Sequence, residues 1–421
     1  MGDAVSVGLR RDLVVHLRRH GHLTDERVAA AFVSVPREAF LPDHAERSGL
    51  PAVYRDEAIV TRRDVAGTPL SSSSQPAIMA RMLEMLDVRE GHRVLEVGAG
   101  TGYNAALLAE LVGATGSVTP VELARDVAGS ARQGLLATGS PATVVLGDGR
   151  AGVPEVAPVD RIVVTASTES IPRTWYDQLV PGGLLVVPVR LSSVLFAVQA
   201  VVAFRKRAGG FESVVVTAGG FMALRGFGDH RAGTAAIVVP DAAGDVGEAG
   251  EEQPLVELSG PALAALGPAE RQRLVVAALG FARHRGLDLA GASSWSLGAY
   301  AALGLPQERL VECIRPGWTA AGEHAMGVVD AVDGSIAFLI GSGGQARVEA
   351  HGGRGAEHAL LNVVDRWQAA GRPGVDRLGI RVRFGSERPQ AWRSLRRGDQ
   401  WLALDWLPPP SAPPGPAGRA P

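Results

Sequence analysis

Between residues 10 and 35 the apolar positions recur at helical spacing. Leu13, Val14 and Leu17 form one stripe, and Val28, Ala29 and Phe32 continue it on a second helix. Gly21 ends the first helix. Thr24 is placed to cap the second, with Asp25 and Glu26 in its first turn, and Pro36 stops it. From about residue 77 to 220 the pattern changes to short apolar runs separated by amphipathic stretches. Arg93–Val97, Ser117–Glu122, Thr143–Leu146, Asp160–Thr165 and Leu184–Val189 read as buried strands, and Ala77–Leu86, Thr101–Val112 and Asp126–Thr138 as helices. This alternation predicts an α/β fold, a mostly parallel sheet with helices on both faces. Residues 194–203 and 212–217 then form an antiparallel pair at the sheet edge.

Residues 240–254 (PDAAGDVGEAGEEQP) are acidic and have almost nothing to bury, which predicts a linker. A smaller α+β unit is expected over 255–407, with strands at Val328–Val332 and Ile336–Ile340 and helices at Pro268–Arg283 and Glu357–Ala369. Residues 408–421, rich in proline, are expected to be a disordered tail. The expected organisation is therefore an N-terminal helical segment (1–76), an α/β domain (77–239), the linker, the second unit and the tail.

Composition adds mainly exclusions. The chain has 421 residues, 46% hydrophobic and 20% charged, and a formal net charge of −2. No global field recruits nucleic acid or an anionic membrane, and no stretch reaches the ~20 apolar residues of a membrane span. Cys313 is the single cysteine, so an intrachain disulfide is excluded and a thiolate metal site is not expected. His351-Gly352-Gly353 and His358 lack a supporting acid cluster, and no metal is expected. The N-terminus has no signal-peptide pattern, and a cytoplasmic location is expected.

The strongest chemical signal is Val94-Leu95-Glu96-Val97-Gly98-Ala99-Gly100-Thr101-Gly102-Tyr103, a buried strand running through a glycine turn into a helix. Such a turn brings backbone close to a ligand where a Cβ would clash, and it presents the free N–H groups of a helix start. A dinucleotide-binding fold uses a similar loop, but with GxGxxG spacing. Here the glycines fall at 98, 100 and 102, and Glu96 on the strand suits a cationic cofactor better than a pyrophosphate. Glu122, followed by Leu123, ends the next strand, where a carboxylate can accept both hydroxyls of a ribose; this fits NAD and S-adenosylmethionine alike. Asp148-Gly149 ends the third, where an acid can accept from an adenine amino group.

With these motifs in place, the sequence resembles the protein-L-isoaspartate O-methyltransferase family over roughly residues 10–226. The resemblance rests on DLVVHLRRHGHLTDERVAAAFVSVPREAFLP at 12–42, Tyr54-Arg55-Asp56, Ser74-Gln75-Pro76, LEVGAGTGYNAALLA, GDGR, LVPGGLLVVPV and FMALRG at 221–226. It implies a Rossmann-like class I methyltransferase fold using S-adenosyl-L-methionine and releasing S-adenosyl-L-homocysteine. Carried over, it places the cofactor on Glu96, Gly98, Ala99, Gly100, Thr101, Gly102, Tyr103, Glu122, Leu123, Asp148 and Gly149, with Thr165 and Ala166 beside the transferred methyl. It implies a substrate loop of Ser72, Ser73, Ser74 and Gln75, with Ser74 contacting the substrate carboxylate; Ser74 also stands where a helix cap would.

Two features depart from the family's repair enzymes. Leu70-Ser71-Ser72-Ser73 replaces a more apolar stretch, and the chain continues for nearly two hundred residues past the matched region. These resemble a fused subgroup of modified-peptide biosynthesis (lanthipeptide, lasso or ester-crosslinked). The implied activity is methylation of an aspartate side chain in a ribosomal peptide, whose ester cyclises to aspartimide and isoaspartate. Repair of isoaspartyl proteins is the alternative, and a catalytically inactive, peptide-binding fold is a rival of another class. The expected partner is a peptide or protein carrying aspartate or isoaspartate; the oligomeric state is open. Six of the seven tryptophans follow residue 290, read as core or as a peptide groove. The arginines of 372–397 read as a solvated face or as an attractor of acidic peptide.

Overall fold

The computed structural model describes residues 2–408 except 66, 68, 193, 194, 196, 197, 225–234, 241–254, 279, 315–323 and 343. The expected linker beyond Pro240, most of the tail and Trp318 lie outside the described residues.

A ten-stranded sheet organises the chain. Its strands are Arg93–Val97 (β1), Ser117–Glu122 (β2), Val145–Leu146 (β3), Val159–Val164 (β4), Leu179–Arg190 (β5), Gln199–Arg207 (β6), Gly210–Ala218 (β7), Leu378–Phe384 (β8), Arg393–Arg397 (β9) and Gln400–Trp406 (β10). Their order across the sheet is β9-β10-β8-β7-β6-β5-β4-β1-β2-β3. β1 to β5 pair in parallel, and the pairs from β5 outward through β6 to β10 are antiparallel.

Alternation along each strand builds two cores. Leu95, Ile162, Val164, Leu185, Val187, Val202 and Phe204 point to one face, and Val94, Val163, Val186, Val201 and Ala203 to the other. The second face is covered by the N-terminal helices Gly2–Arg19 and Glu26–Ser34 and by Pro76–Leu86 and Tyr103–Val112, through Leu17, Phe32, Leu83 and Leu107. The first face shares a continuous core with the C-terminal half, including Leu297 and Leu303 of helix Ser294–Gly304 and Leu360 and Trp367 of helix Gly355–Ala369. That half also carries a seven-stranded antiparallel sheet in the order Ala235–Pro240, Leu255–Gly260, Leu310–Ile314, His324–Asp330, Ser335–Ser342, Gln345–His351, Arg283–Leu287.

Several expectations are corrected. The pair β6–β7 is not an edge, because β8 continues the sheet through Arg381, Val382 and Arg383 opposite Glu212, Phe211 and Gly210. The expected unit at 255–407 is thereby split: its last three strands extend the first sheet. Helix Pro268–Ala278 stops before Arg283, since Arg283–Leu287 is recruited as a strand against Gln345–His351. The second helix is capped by Asp25, not Thr24: its carboxylate accepts from the N–H groups of Arg27 (2.7 Å) and Val28 (3.0 Å).

The described tryptophans differ in burial. Trp367 is fully buried and donates Nε1–H to the Pro373 carbonyl at 3.2 Å. Trp406 and the 44%-exposed Trp392 pack on Tyr300, with centroids 5.2 and 5.7 Å away. Arg381 and Arg383 are held by Asp405 and Glu212, each at 2.8 Å.

Candidate active site

The parallel strands end at a cleft of about 970 Å³, where open α/β sheets bind ligands. The turn after β1 forms its floor. Gly98, Gly100 and Gly102 take φ of +94°, +52° and +89°, which delays the helix start from Thr101 to Tyr103. A Cβ on Gly98 would lie 2.6 Å from Thr165 Oγ1. Gly102 does not face the cleft; it is set back against Ala131, whose carbonyl oxygen lies 3.1 Å from the position a Cβ would take. Tyr103 touches the cleft, but its ring packs against Phe32 and Phe40, tying the turn to the N-terminal helices.

The acids stand at successive strand ends. Glu96 is fully buried in the cleft wall. Its Oε1 accepts from Asn104 Nδ2 at 2.8 Å, while Oε2 has no partner among the described residues. Burial pushes its carboxyl up to about 8; the Asn104 hydrogen bond opposes this and the charge of Glu122 adds to it. Glu122 accepts from the N–H of Gly100 at 3.1 Å and of Ala124 at 3.0 Å. A carboxylate offers about four lone-pair sites, so each oxygen can still accept from a ligand. Asp148 faces the cleft too, but it is gripped by Arg150, whose Nε lies 2.9 Å from both carboxylate oxygens and holds the acid below its usual range. Gly149 is fixed from behind by Trp175, which donates to its carbonyl at 2.8 Å. Leu123, 46% exposed, completes this side of the wall.

The opposite wall is the hairpin Ile59–Arg63 and Pro69–Ser73 with the residues that follow it. The Ser72 carbonyl lies 3.5 Å from the position a Gly100 Cβ would take, so hairpin and glycine turn meet directly. Ser71 and Ser73 are buried, and Ser72, Ser74 and Gln75 are more open. Ser74 does not cap the next helix. Asp56 does, its Oδ1 accepting from Ala77 N–H at 2.8 Å, while Gln75 Nε2 donates to Asp56 Oδ2 at 3.0 Å. Behind the serines lies Arg37, fully buried. Its Nη2 donates to Ser74 O at 3.0 Å and Ser73 Oγ at 3.3 Å. The sequence reading singled out neither Arg37 nor Asn104; the only signals were an arginine after Pro36 and an amide in the first turn after the glycines.

The third wall is Thr165 and Ala166 after β4, with Gly219–Leu224 after β7. Thr165 Oγ1 donates to the Gly98 carbonyl at 2.6 Å. Ser167 N–H donates to Met222 O and Leu224 N–H to Ser167 O, each at 2.8 Å, which joins the two segments.

Every predicted cofactor and substrate residue except Gly102 therefore lines one cleft. A buried acid whose Oε2 has no partner among the described residues suits a cationic ligand, and the acid on the neighbouring strand end suits a ribose. That combination on this sheet fits a Rossmann-like class I S-adenosylmethionine-dependent methyltransferase, and the comparisons with known proteins show that class. The family described as protein-L-isoaspartate(D-aspartate) O-methyltransferase matches residues 9–226. The protein-L-isoaspartate O-methyltransferase of Methanosarcina mazei is 41% identical over 182 residues, covering 43% of this chain and 70% of its own. That of Methanopyrus kandleri is 42% identical over 189 residues (44% and 79%), and that of Thermotoga maritima 39% over 184 (44% and 56%). A solved structure described as a protein-L-isoaspartate O-methyltransferase aligns over 94% of this chain and 99% of its own, with 24% identity and a TM-score of 0.49. This chain belongs to the protein-L-isoaspartate(D-aspartate) O-methyltransferase family. Among the described residues, no helix is long and apolar enough to cross a membrane.

Proposed function

We propose that this chain methylates the free carboxylate of an aspartyl or isoaspartyl residue in a peptide or protein. The observation that carries the reading is the position of Ser74: it lines the same cleft as the glycine turn, and capping of the adjacent helix falls to Asp56 instead. S-adenosylmethionine, when bound, supplies an electrophilic sulfonium methyl. Glu96 and Glu122 would hold its cationic and ribose parts, and Thr165 and Ala166 would flank the transferred group. A substrate carboxylate with a pKa near ~4 is already ionised at neutral pH, so no side chain has to remove a proton. The work left to the protein is alignment and exclusion of water. Ser74 donates a hydrogen bond to one carboxylate oxygen and directs the other at the methyl.

The ester product carries a good leaving group. The backbone nitrogen of the following residue attacks the ester carbonyl, its proton leaves with the methoxide as methanol, and a five-membered aspartimide closes. Water then opens the ring to aspartate or isoaspartate. The starting carboxylate alone decides whether this chemistry repairs isoaspartate or installs it. An ordinary aspartate in a ribosomal peptide is the finer reading, supported by polar Ser72 on the cleft wall and by the long C-terminal half joined to the core.

Mass spectrometry on two peptides tests both levels, one containing isoaspartate and one a constrained, crosslinked peptide with ordinary aspartate. The expected product is one methylene unit heavier, followed by a species one water lighter than the starting aspartyl peptide. Ser74→Ala should lower the rate about tenfold to a hundredfold. Faster turnover of the isoaspartyl peptide would refute the finer reading. Cofactor binding without an ester on either peptide would refute the enzyme reading in favour of an inactive, peptide-binding fold.

A further inference from the structure

We infer that the C-terminal half, which lies beyond the family match at 9–226, completes the methyl-transfer site, and that Gln400 is a positioning residue for the wall containing Thr165 and Ala166. The inference rests on the function proposed above.

Gln400 opens β10, directly after the turn from β9, with Arg397 opposite it on one side and Phe384 on the other. Its side chain leaves the sheet and is buried, with 2% exposure. The amide pairs with both backbone groups of one residue: Ile171 N–H donates to Gln400 Oε1 at 3.0 Å, and Gln400 Nε2 donates to Ile171 O at 2.9 Å. Ile171 is itself fully buried, so neither backbone group has water as a substitute.

Ile171 closes the loop that starts at Thr165. The loop is held at two earlier points by the methyltransferase half: at Ser167 by the segment Phe221–Leu224, and at Thr168, whose N–H donates to Pro188 O at 3.0 Å and whose carbonyl accepts from Arg190 N–H at 2.8 Å. Gln199 anchors Phe221 in the same two-way manner, at 2.9 and 3.1 Å. Two buried glutamines thus fix the backbone behind the methyl site, one from β6 and one from the extension. On the same loop Glu169 pairs with Arg190 at 2.9 Å, which ties it to the end of β5. A loop so constrained keeps Thr165 against the Gly98 carbonyl. In-line transfer requires this register, because small displacements of an aligned reactant cost large factors in rate.

The test uses the full chain carrying Gln400→Leu, which keeps the volume and removes the amide, and Gln400→Asn, which keeps the amide on a shorter arm. Two quantities are read: amide hydrogen exchange over 167–172 without ligand, and kcat per S-adenosylhomocysteine-binding site. The expected result is faster exchange at Ile171 and its neighbours, with kcat per site down about tenfold or more in Gln400→Leu and less in Gln400→Asn, while peptide KM and S-adenosylhomocysteine affinity stay near those of the parent. Faster exchange with kcat per site within about twofold of the parent would overturn the inference, showing a role in folding alone. Unchanged exchange would overturn it as well. Should Gln400→Leu fail to bind S-adenosylhomocysteine, Gln400→Asn decides by the same two readouts. A parent protein that methylates neither peptide removes the proposed function, and the exchange readout still reports whether the clamp exists.

Discussion

Replacing Arg37 by methionine should destabilise the protein by about 3–5 kcal/mol and loosen the substrate wall at the same time. Among the described residues Arg37 has no carboxylate within ion-pair distance. Nη1 donates to Val53 O at 2.9 Å and Arg55 O at 3.2 Å, and Nη2 to Glu57 O at 3.3 Å as well as to Ser73 Oγ and Ser74 O. Methionine fills similar space but takes the donor from Val53 O and Ser73 Oγ, which are buried, and a buried acceptor cannot recover its hydrogen bond from water. Lysine keeps the charge but not the planar fork, so it should restore only part of the loss. Chemical denaturation gives the stability change, and peptide KM reports the wall. A stability change below about 1 kcal/mol would mean that the carbonyls find other partners and that Arg37 is not the clip described.

The second large effect is a pH dependence of cofactor affinity set by Glu96. In the free protein burial raises its carboxyl to about 8, so it is mostly protonated at neutral pH. A cationic cofactor is bound better by the carboxylate, and binding draws that pKa down. Below about 8, binding must therefore release a proton from Glu96, and affinity should fall about tenfold for each pH unit removed, levelling off above the pKa. Glu96→Gln should bind weakly at all pH values and lack this slope. The comparison also cancels the titration of the cofactor's own amino group. Calorimetry from about pH 6 to 9 checks it. Equal slopes for the parent and Glu96→Gln would contradict a role for this acid.

Local pattern carried most of the first half. The buried strands and the glycine turn were legible because alternation, strand length and left-handed backbone positions are written in consecutive residues. Where the reading failed, a distant partner decided. Thr24 has the right chemistry for a cap, yet its N–H and hydroxyl turn to Glu84, leaving the cap to Asp25. Ser74 looked like a cap until Asp56, from an irregular loop, took that place. The helical pattern from Pro268 runs on to Arg283 in the sequence, but Arg283 opens the strand Arg283–Leu287 because Gln345–His351 offers it a ladder. The link between Gln400 and Ile171 spans 229 positions, and no window along the chain could suggest it. The same applies to β8–β10, whose addition to the first sheet merges what composition divides at 255.

The most direct check is a crystal structure of the complex with S-adenosylhomocysteine. The ribose should sit within hydrogen-bonding reach of Glu122, the amino group against Glu96, and the sulfur on the Ser74 side of the cleft beside Thr165. An adenosyl group bound away from the ends of β1, β2 and β3, or a sulfur facing away from Ser74, would contradict the account.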